Sequence, residues 1–277
     1  MTTAQVMTVA LVAVVLFHGN QFHGNQDRSR LFLMAHGYIS PFEMVSKGNF
    51  NRRLHQIPEV TWMALFSLLA QINKETNIKT NTKKTNSTQE YAVDSLPVPV
   101  CDNIRIQRCR LYPRKCHGEA FRGYVASKRR FFLYSVFYGL RVHLVITTSG
   151  LPVEFALAPA SDADIAAFRC LRLDLPEQAH LFADAGYFAD AGYLDQHEEA
   201  LLRESANLHL VAARRRNSKQ PLPPWVSYIA KHERKRVETV FSQIVSAFGR
   251  TVHAVTPRGF ELKVFLTVLA YTLTATL

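Results

Sequence analysis

Residues 73 to 90, NKETNIKTNTKKTNSTQE, constrain the fold more than any other stretch, because the texture of the chain changes across them. One aliphatic residue, Ile78, stands among Asn, Thr and Lys. That is too little apolar surface to offset the entropy of ordering the backbone, so 73–90 reads as a polar linker. Before it, over 1–72, apolar residues recur at helical spacing in VMTVALVAVVLF, in RSRLFLMAHGY and in VTWMALFSLLAQI, where Trp62, Leu65, Phe66 and Leu69 share a stripe. After it, over 91–277, come short β-rich runs: YAVDSL, RFFLYSVFYGLRVHLVIT, LPVEFALA, AHLFAD and LHLVAA. Helical patterns follow the third and fourth runs. The expectation is an α/β chain: a small helical domain, a linker, and a domain with a mixed, helix-covered sheet.

The opening run from Val6 to Phe17 is shorter than the roughly 20 residues a membrane helix needs, and no Lys or Arg precedes it. It reads as a buried helix, with no membrane partner. Cys101, Cys109, Cys116 and Cys170 form no dense pattern, which suits a reducing compartment, the cytoplasm. Cys101, Cys109 and Cys116 with His117 leave a zinc reading open, although their gaps exceed the two to four residues typical of structural zinc sites.

Lys and Arg number 33 against 22 Asp and Glu, a formal net charge of +11, which calls for a polyanionic partner such as nucleic acid. The charge is segregated. Residues 101–141 hold ten basic residues and two acids, 151–200 hold ten acids and two Arg, and 211–236 hold eight basic residues and one acid. An acidic cluster between basic stretches suits an enzyme that binds phosphates and also holds metal ions. In KGNFNRRLHQI, Lys47, Arg52, Arg53 and His55 are placed to touch phosphates or simply to face solvent from a loop and helix face.

Three carboxylates stand out. Asp94 lies in YAVDSLPVPV, where Pro97 and Pro99 should end the strand near Leu96 and leave Asp94 close to its carboxyl end, the end at which open α/β sheets build sites. FADAGY is written twice in succession at 182–193. Asp184 ends the strand entry AHLFAD, whereas a strand reaching Asp190 would have to pass through Gly186, so Asp184 is favoured and Asp190 is the alternative. Asp195 and Glu198 resemble a capping box opening the next helix. Glu238 lies in a helical pattern from Trp225 to Phe248, with Lys231, Arg234 and Ser242 on the same flank. Arg234 and Glu238 alone would be an ordinary i,i+4 ion pair. Three carboxylates are also the donor set of a two-metal phosphodiester site, one shared and two each holding one Mg²⁺.

Around these residues, AVDSLPVPVCDNIRIQRCRL, GEAFRGYVASKRR, YGLRVHLVIT, GLPVEFALAP, AARRRNSKQPLPPW, KHERKRVETVFSQI and HAVTPRGFELKVFLTVLAY together resemble the DDE transposases of bacterial insertion sequences, with the closest likeness to the group numbered nine-eight-two. AQVMTVALVA and FNRRLH are similar to that group's helical amino-terminal region. The resemblance implies a ribonuclease H-like catalytic domain in which Asp94, the Asp of the ADAGY segment and Glu238 are the three acids. Arg234 is similar to a companion Arg of related transposases, while the Tyr expected three residues earlier is replaced by Lys231.

The resemblance further implies cleavage at element ends and strand transfer into target DNA, with two Mg²⁺ ions for which Mn²⁺ can substitute. The helical region 1–72 would bind element ends, a homodimer would hold two ends together, and the protein would work at the nucleoid. Arg52, Arg53, Arg129, Arg130, Arg214, Arg215, Arg216, Lys219 and Arg234 are the expected phosphate contacts. FHGNQ doubled at 17–26, FADAGY doubled at 182–193, a long FFLYSVFYG run and a start almost at the first apolar helix depart from the family's pattern. Two other readings therefore stand beside the first: an inactivated remnant with a shortened amino-terminal domain that only binds DNA, and a stand-alone metal nuclease.

Overall fold

The computed structural model of the protein describes residues 1–17, 25–43, 45–82, 89–126, 134–183, 194–214, 222–248 and 252–277. Four helices come first: α1 (Thr3–Phe17), α2 (Asn25–Ala35), α3 (Lys47–Gln56) and α4 (Glu59–Thr82). The segment read as loop and helix face is mostly α3. Ser46 caps it by accepting a hydrogen bond from the Asn49 backbone N–H at 3.3 Å, and Phe50 and Leu54, four apart, form its buried side. β1 (Glu90–Asp102), α5 (Arg114–His117), β2 (Arg122–Ala126), β3 (Tyr134–Thr147), β4 (Pro152–Pro159) and α6 (Asp164–Phe168) follow. Then come β5 (His180–Ala183), α7 (Leu194–Ala206), β6 (His209–Ala212), α8 (Pro224–Phe248) and α9 (Pro257–Thr276).

β1, β2 and β4 all pair antiparallel with β3, whereas β5 runs parallel to β1 and β6 parallel to β5. The sheet is thus mixed, with β1 between its antiparallel half and its parallel half. Its two faces are covered differently. Ala92, Val98, Val142, Leu144, Ile146 and Phe182 share one core with α1, α3, α4, α8 and α9. Tyr91, Val93, Val145, Leu181, Ala183 and Leu210 pack on the other side against Phe168 of α6 and Leu202 of α7.

Two sequence expectations are corrected here. The polar segment does not begin as a linker, because α4 continues through its first ten residues to Thr82. Its asparagines explain this. Asn73 is fully buried, with its amide N–H donating to the Pro152 carbonyl at 2.8 Å and its Oδ1 accepting from the Thr276 hydroxyl at 2.9 Å. Asn77, one turn on and equally buried, donates to Gln89 Oε1 at 3.1 Å and accepts from the Thr148 hydroxyl at 3.2 Å. Polar groups satisfied in this way are buried at little cost. Residues 83–88 lie outside the described residues.

β1 likewise does not stop at Leu96 but runs through both prolines to Asp102, with Pro97 opposite Arg141 and Pro99 opposite Gly139. The two prolines share one parity, so both missing N–H donors fall on the same edge, and the alternate residues carry the ladder to β3. Among the described residues no strand pairs with that other edge beyond Val93. Backbones approach closely at the bulge after Pro99: a Cβ on Gly139 would sit 2.2 Å from the Val98 carbonyl oxygen. β2 was not singled out as a strand from the sequence, since its five residues offer no run long enough to show alternation.

His143 of β3, opposite Ser95, is fully buried. Burial, reinforced by the Arg141 charge, pushes its imidazole down to about 4. The unfolded chain takes up this proton below about 6.5 and the folded chain refuses it until about 4, so stability is lost as pH falls across that window. This residue should account for a loss on the order of 3 kcal/mol. Urea unfolding at pH 7.5 and 4.5 checks it: the drop should shrink by that amount in His143→Gln.

Candidate active site

Strand alternation places Asp94 on the face of Ala92 and Val98, the face that α8 covers. Asp94 comes one residue after Val93, and Val93 is opposite Ala183, where β5 ends. Asp94 is therefore beside the last described residues of β5 and not at the end of its own strand, since β1 continues to Asp102. Asp94 is half-buried, and its Oδ1 accepts a hydrogen bond from the Ser95 backbone N–H at 2.7 Å.

Glu238 reaches the same side of the sheet from α8, which lies across β1 and β5. The helix buries Ala230, Val237, Val240, Phe241 and Ile244 against the sheet. Lys231, Arg234, Glu238 and Ser242 run along the flank of that stripe at spacings of three, four and four, as the sequence predicts. Glu238 is 39% exposed, with Arg234 Nη2 3.4 Å from its Oε1. The Ser242 hydroxyl donates to the Glu238 carbonyl at 2.8 Å. As an ion pair the Arg234 contact is worth only a few tenths of a kcal/mol. Its position beside the flank carboxylate gives it meaning.

A second acid of this helix escaped the sequence reading. Glu233 is 5% exposed, interrupting the apolar stripe between Ala230 and Val237. Its Oε1 lies 3.4 Å from both His232 Nδ1 and Arg236 Nε, and its Oε2 has no hydrogen-bond partner among the described residues. An acid at a core-facing position of the stripe was the available signal.

Not all the predicted residues come together. Arg52 and Arg53 are exposed on α3, where Arg52 donates to Asn49 Oδ1 at 3.0 Å and Arg53 to the Met1 carbonyl at 2.6 Å. Arg214, two residues past β6, is 14% exposed and pairs with Glu199 of α7 at 2.6 Å, which leaves little of its guanidinium for a phosphate. Asp184, Asp190, Arg129, Arg130, Arg215, Arg216 and Lys219 lie outside the described residues.

Asp94 and Glu238 are hard oxygen donors of the type that suits Mg²⁺. Among the described residues no three His, Cys, Asp or Glu side chains form a metal-binding group, and Cys101, Cys109, Cys116 and His117 do not either. An apolar cavity of about 300 Å³ lies beyond Asp94, between β1, α8 and α9, lined by residues including Leu96, Phe241, Ile244 and Val268. Its lining carries no charged group to attract a phosphate.

The fold and site define a class: an α/β protein whose central strand and covering helix present carboxylates on one face, beside the parallel pairing of β1 with β5. Residues 85–273 match the family model of the transposase DDE domain, and the chain belongs to that family. The match covers the whole sheet, α8 and most of α9, and excludes α1 to α4. No curated protein and no solved structure matches the chain. By family the chain is a transposase, with DNA as its partner. Among the described residues no helix is long and apolar enough to cross a membrane.

Proposed function

We propose that the chain is the transposase of a bacterial insertion sequence of the group numbered nine-eight-two, which cleaves DNA at element ends and transfers the freed 3′ ends into target DNA. The observation that carries this reading is the presence of Asp94 and Glu238 on one face, with Asp94 next to the end of β5. Asp184 is bonded to Ala183, the last described residue of β5, and shares the parity of Phe182, which packs on the α8 side. An extended continuation by one residue would give the third carboxylate to that face. The sheet, in which β1 to β4 pair antiparallel and β5 and β6 are added in parallel beside β1, supports a ribonuclease H-like reading.

In this reading Asp94, Asp184 and Glu238 hold divalent ions, two Mg²⁺ with Mn²⁺ as substitute. The chemistry those ions supply is activation of the attacking oxygen and stabilisation of the departing one in an in-line displacement. Arg234 orients Glu238 and offsets its charge when the site is empty. Arg129, Arg130, Arg215, Arg216 and Lys219 neutralise phosphates, and Arg52 and Arg53 do so from α3. Synapsis of two ends calls for a homodimer on DNA, with 1–72 engaging the ends.

The test is an assay with the element's own terminal repeats and Mg²⁺: nicking at the ends, and joining of precut 3′ ends to target DNA, are both expected. Binding without nicking would mark a remnant, and nicking without joining a nuclease. DNA affinity measured by anisotropy should also fall steeply with salt. Each neutralised phosphate contributes about −0.9 to the log-log slope, so several engaged arginines give roughly −4 or steeper. A nearly flat dependence would remove the case for the basic stretches.

A further inference from the structure

We propose that the solvent face of the first turns of α8 is a stacking platform for unpaired DNA bases, built from Trp225, Tyr228 and His232. The inference takes its ligand class from the transposase reading and adds a substrate feature to it, namely unpaired nucleotides a short distance from the carboxylates.

The three aromatic residues follow one another at spacings of three and four, so they lie along one helix face. Trp225 is 68% exposed and Tyr228 72%. The indole N–H and the phenol hydroxyl make no hydrogen bond among the described residues. Large aromatic side chains held clear of the core at neighbouring positions mark a contact surface. The rings of Tyr228 and His232 are 26° from parallel with centroids 6.5 Å apart.

Charge selects the occupant. Lys231, Arg234, Lys235 and Arg236 crowd the same turns, while the nearest acid, Glu233, is buried beneath them. A partner that is polyanionic and presents flat apolar faces is a nucleic acid strand with exposed bases, and stacking on aromatic side chains beside a basic track is how such strands are held. Lys235, three residues past His232, stands where the backbone phosphate of a stacked nucleotide would run. Tyr228 precedes Glu238 by ten residues, about 15 Å along the helix axis. This corresponds to roughly four nucleotide steps between the stacked bases and the carboxylates.

The chain has two tryptophans, and Trp62 is buried, so Trp225 is the one that a ligand can quench. Titration of the full chain with oligodeoxythymidylate, without divalent metal, should quench its fluorescence, and Trp225→Phe should abolish the signal while retaining binding. Trp225→Ala and Tyr228→Ala should each weaken oligodeoxythymidylate binding about tenfold, and leave the affinity for a blunt duplex of equal length within about twofold. Tyr228→Phe should match wild type, because the ring and not the hydroxyl does the stacking. Equal losses for single strand and duplex, or no loss in either, would overturn the proposal. So would a change in sedimentation of Trp225→Ala with DNA binding intact, which would assign the face to a protein contact. No cleavage is read, so failure here leaves the transposase reading standing. Quenching without cleavage at element ends would do the reverse.

Discussion

Asp94→Ala and Glu238→Ala should each abolish cleavage at element ends while leaving DNA affinity unchanged. Removing a carboxylate that holds a metal ion directly should cost more than the 10- to 100-fold typical of changes in the surrounding shell. Arg52 and Arg53, the proposed phosphate contacts among the described residues, stand on α3 and not on β1 or α8, so gel-shift affinity should stay within about twofold. Glu238→Gln is the sharper variant, because it keeps the shape and the helix and loses only the charge. Its stability should hardly move, since the contact with Arg234 spans 3.4 Å between two half-exposed side chains. A quantitative nicking assay with Mg²⁺ and with Mn²⁺ decides the matter. Either variant cutting at the wild-type rate would show that this carboxylate is not a ligand.

Asp94 and Glu238 were legible in the sequence for different reasons. The place of Glu238 on the flank of α8 follows from helical periodicity, because the stripe through Val237, Val240, Phe241 and Ile244 fixes that flank, whereas its reading as an acid of the site came from the family resemblance. Asp94 was placed correctly on a strand but for a partly mistaken reason. The prolines do not end β1; what lies beside Asp94 is the pairing with β5, a parallel contact between segments ninety residues apart in the chain. Local pattern carries no record of such pairing. The same limit explains α4. Asn73 and Asn77 look solvated in sequence, and only Pro152, Thr148 and Thr276, brought in from β4, the β3–β4 turn and the end of α9, make their burial affordable. Glu233 is the converse case: its place in the stripe was readable, but its burial against the rest of the fold was not.

The doubled FADAGY gives the other large effect. Phe182 and Ala183 of the first copy are residues of β5, and Ala183 is opposite Val93, the neighbour of Asp94. The second copy ends at Tyr193, immediately before α7 begins at Leu194. The strand is thus supplied by the first copy, and the second amounts to six extra residues in the connection to α7. Lengthening a connection costs little, about 0.6 kcal/mol for each doubling, so the fold should tolerate the insertion. A metal-holding carboxylate is less forgiving, since it must be placed to within about 0.5 Å. Asp184, one bond from the end of the paired strand, meets that requirement more readily than Asp190, six residues further along. Asp184→Ala should therefore eliminate nicking and Asp190→Ala should not. Deleting residues 188–193 should preserve or raise activity by removing a competing carboxylate. If Asp190→Ala is the dead variant and Asp184→Ala survives, the assignment is reversed, with the second copy supplying the metal ligand. If both variants match an inactive wild type and the deletion alone restores nicking, the duplication itself has silenced the enzyme, and this chain retains only the capacity to bind DNA.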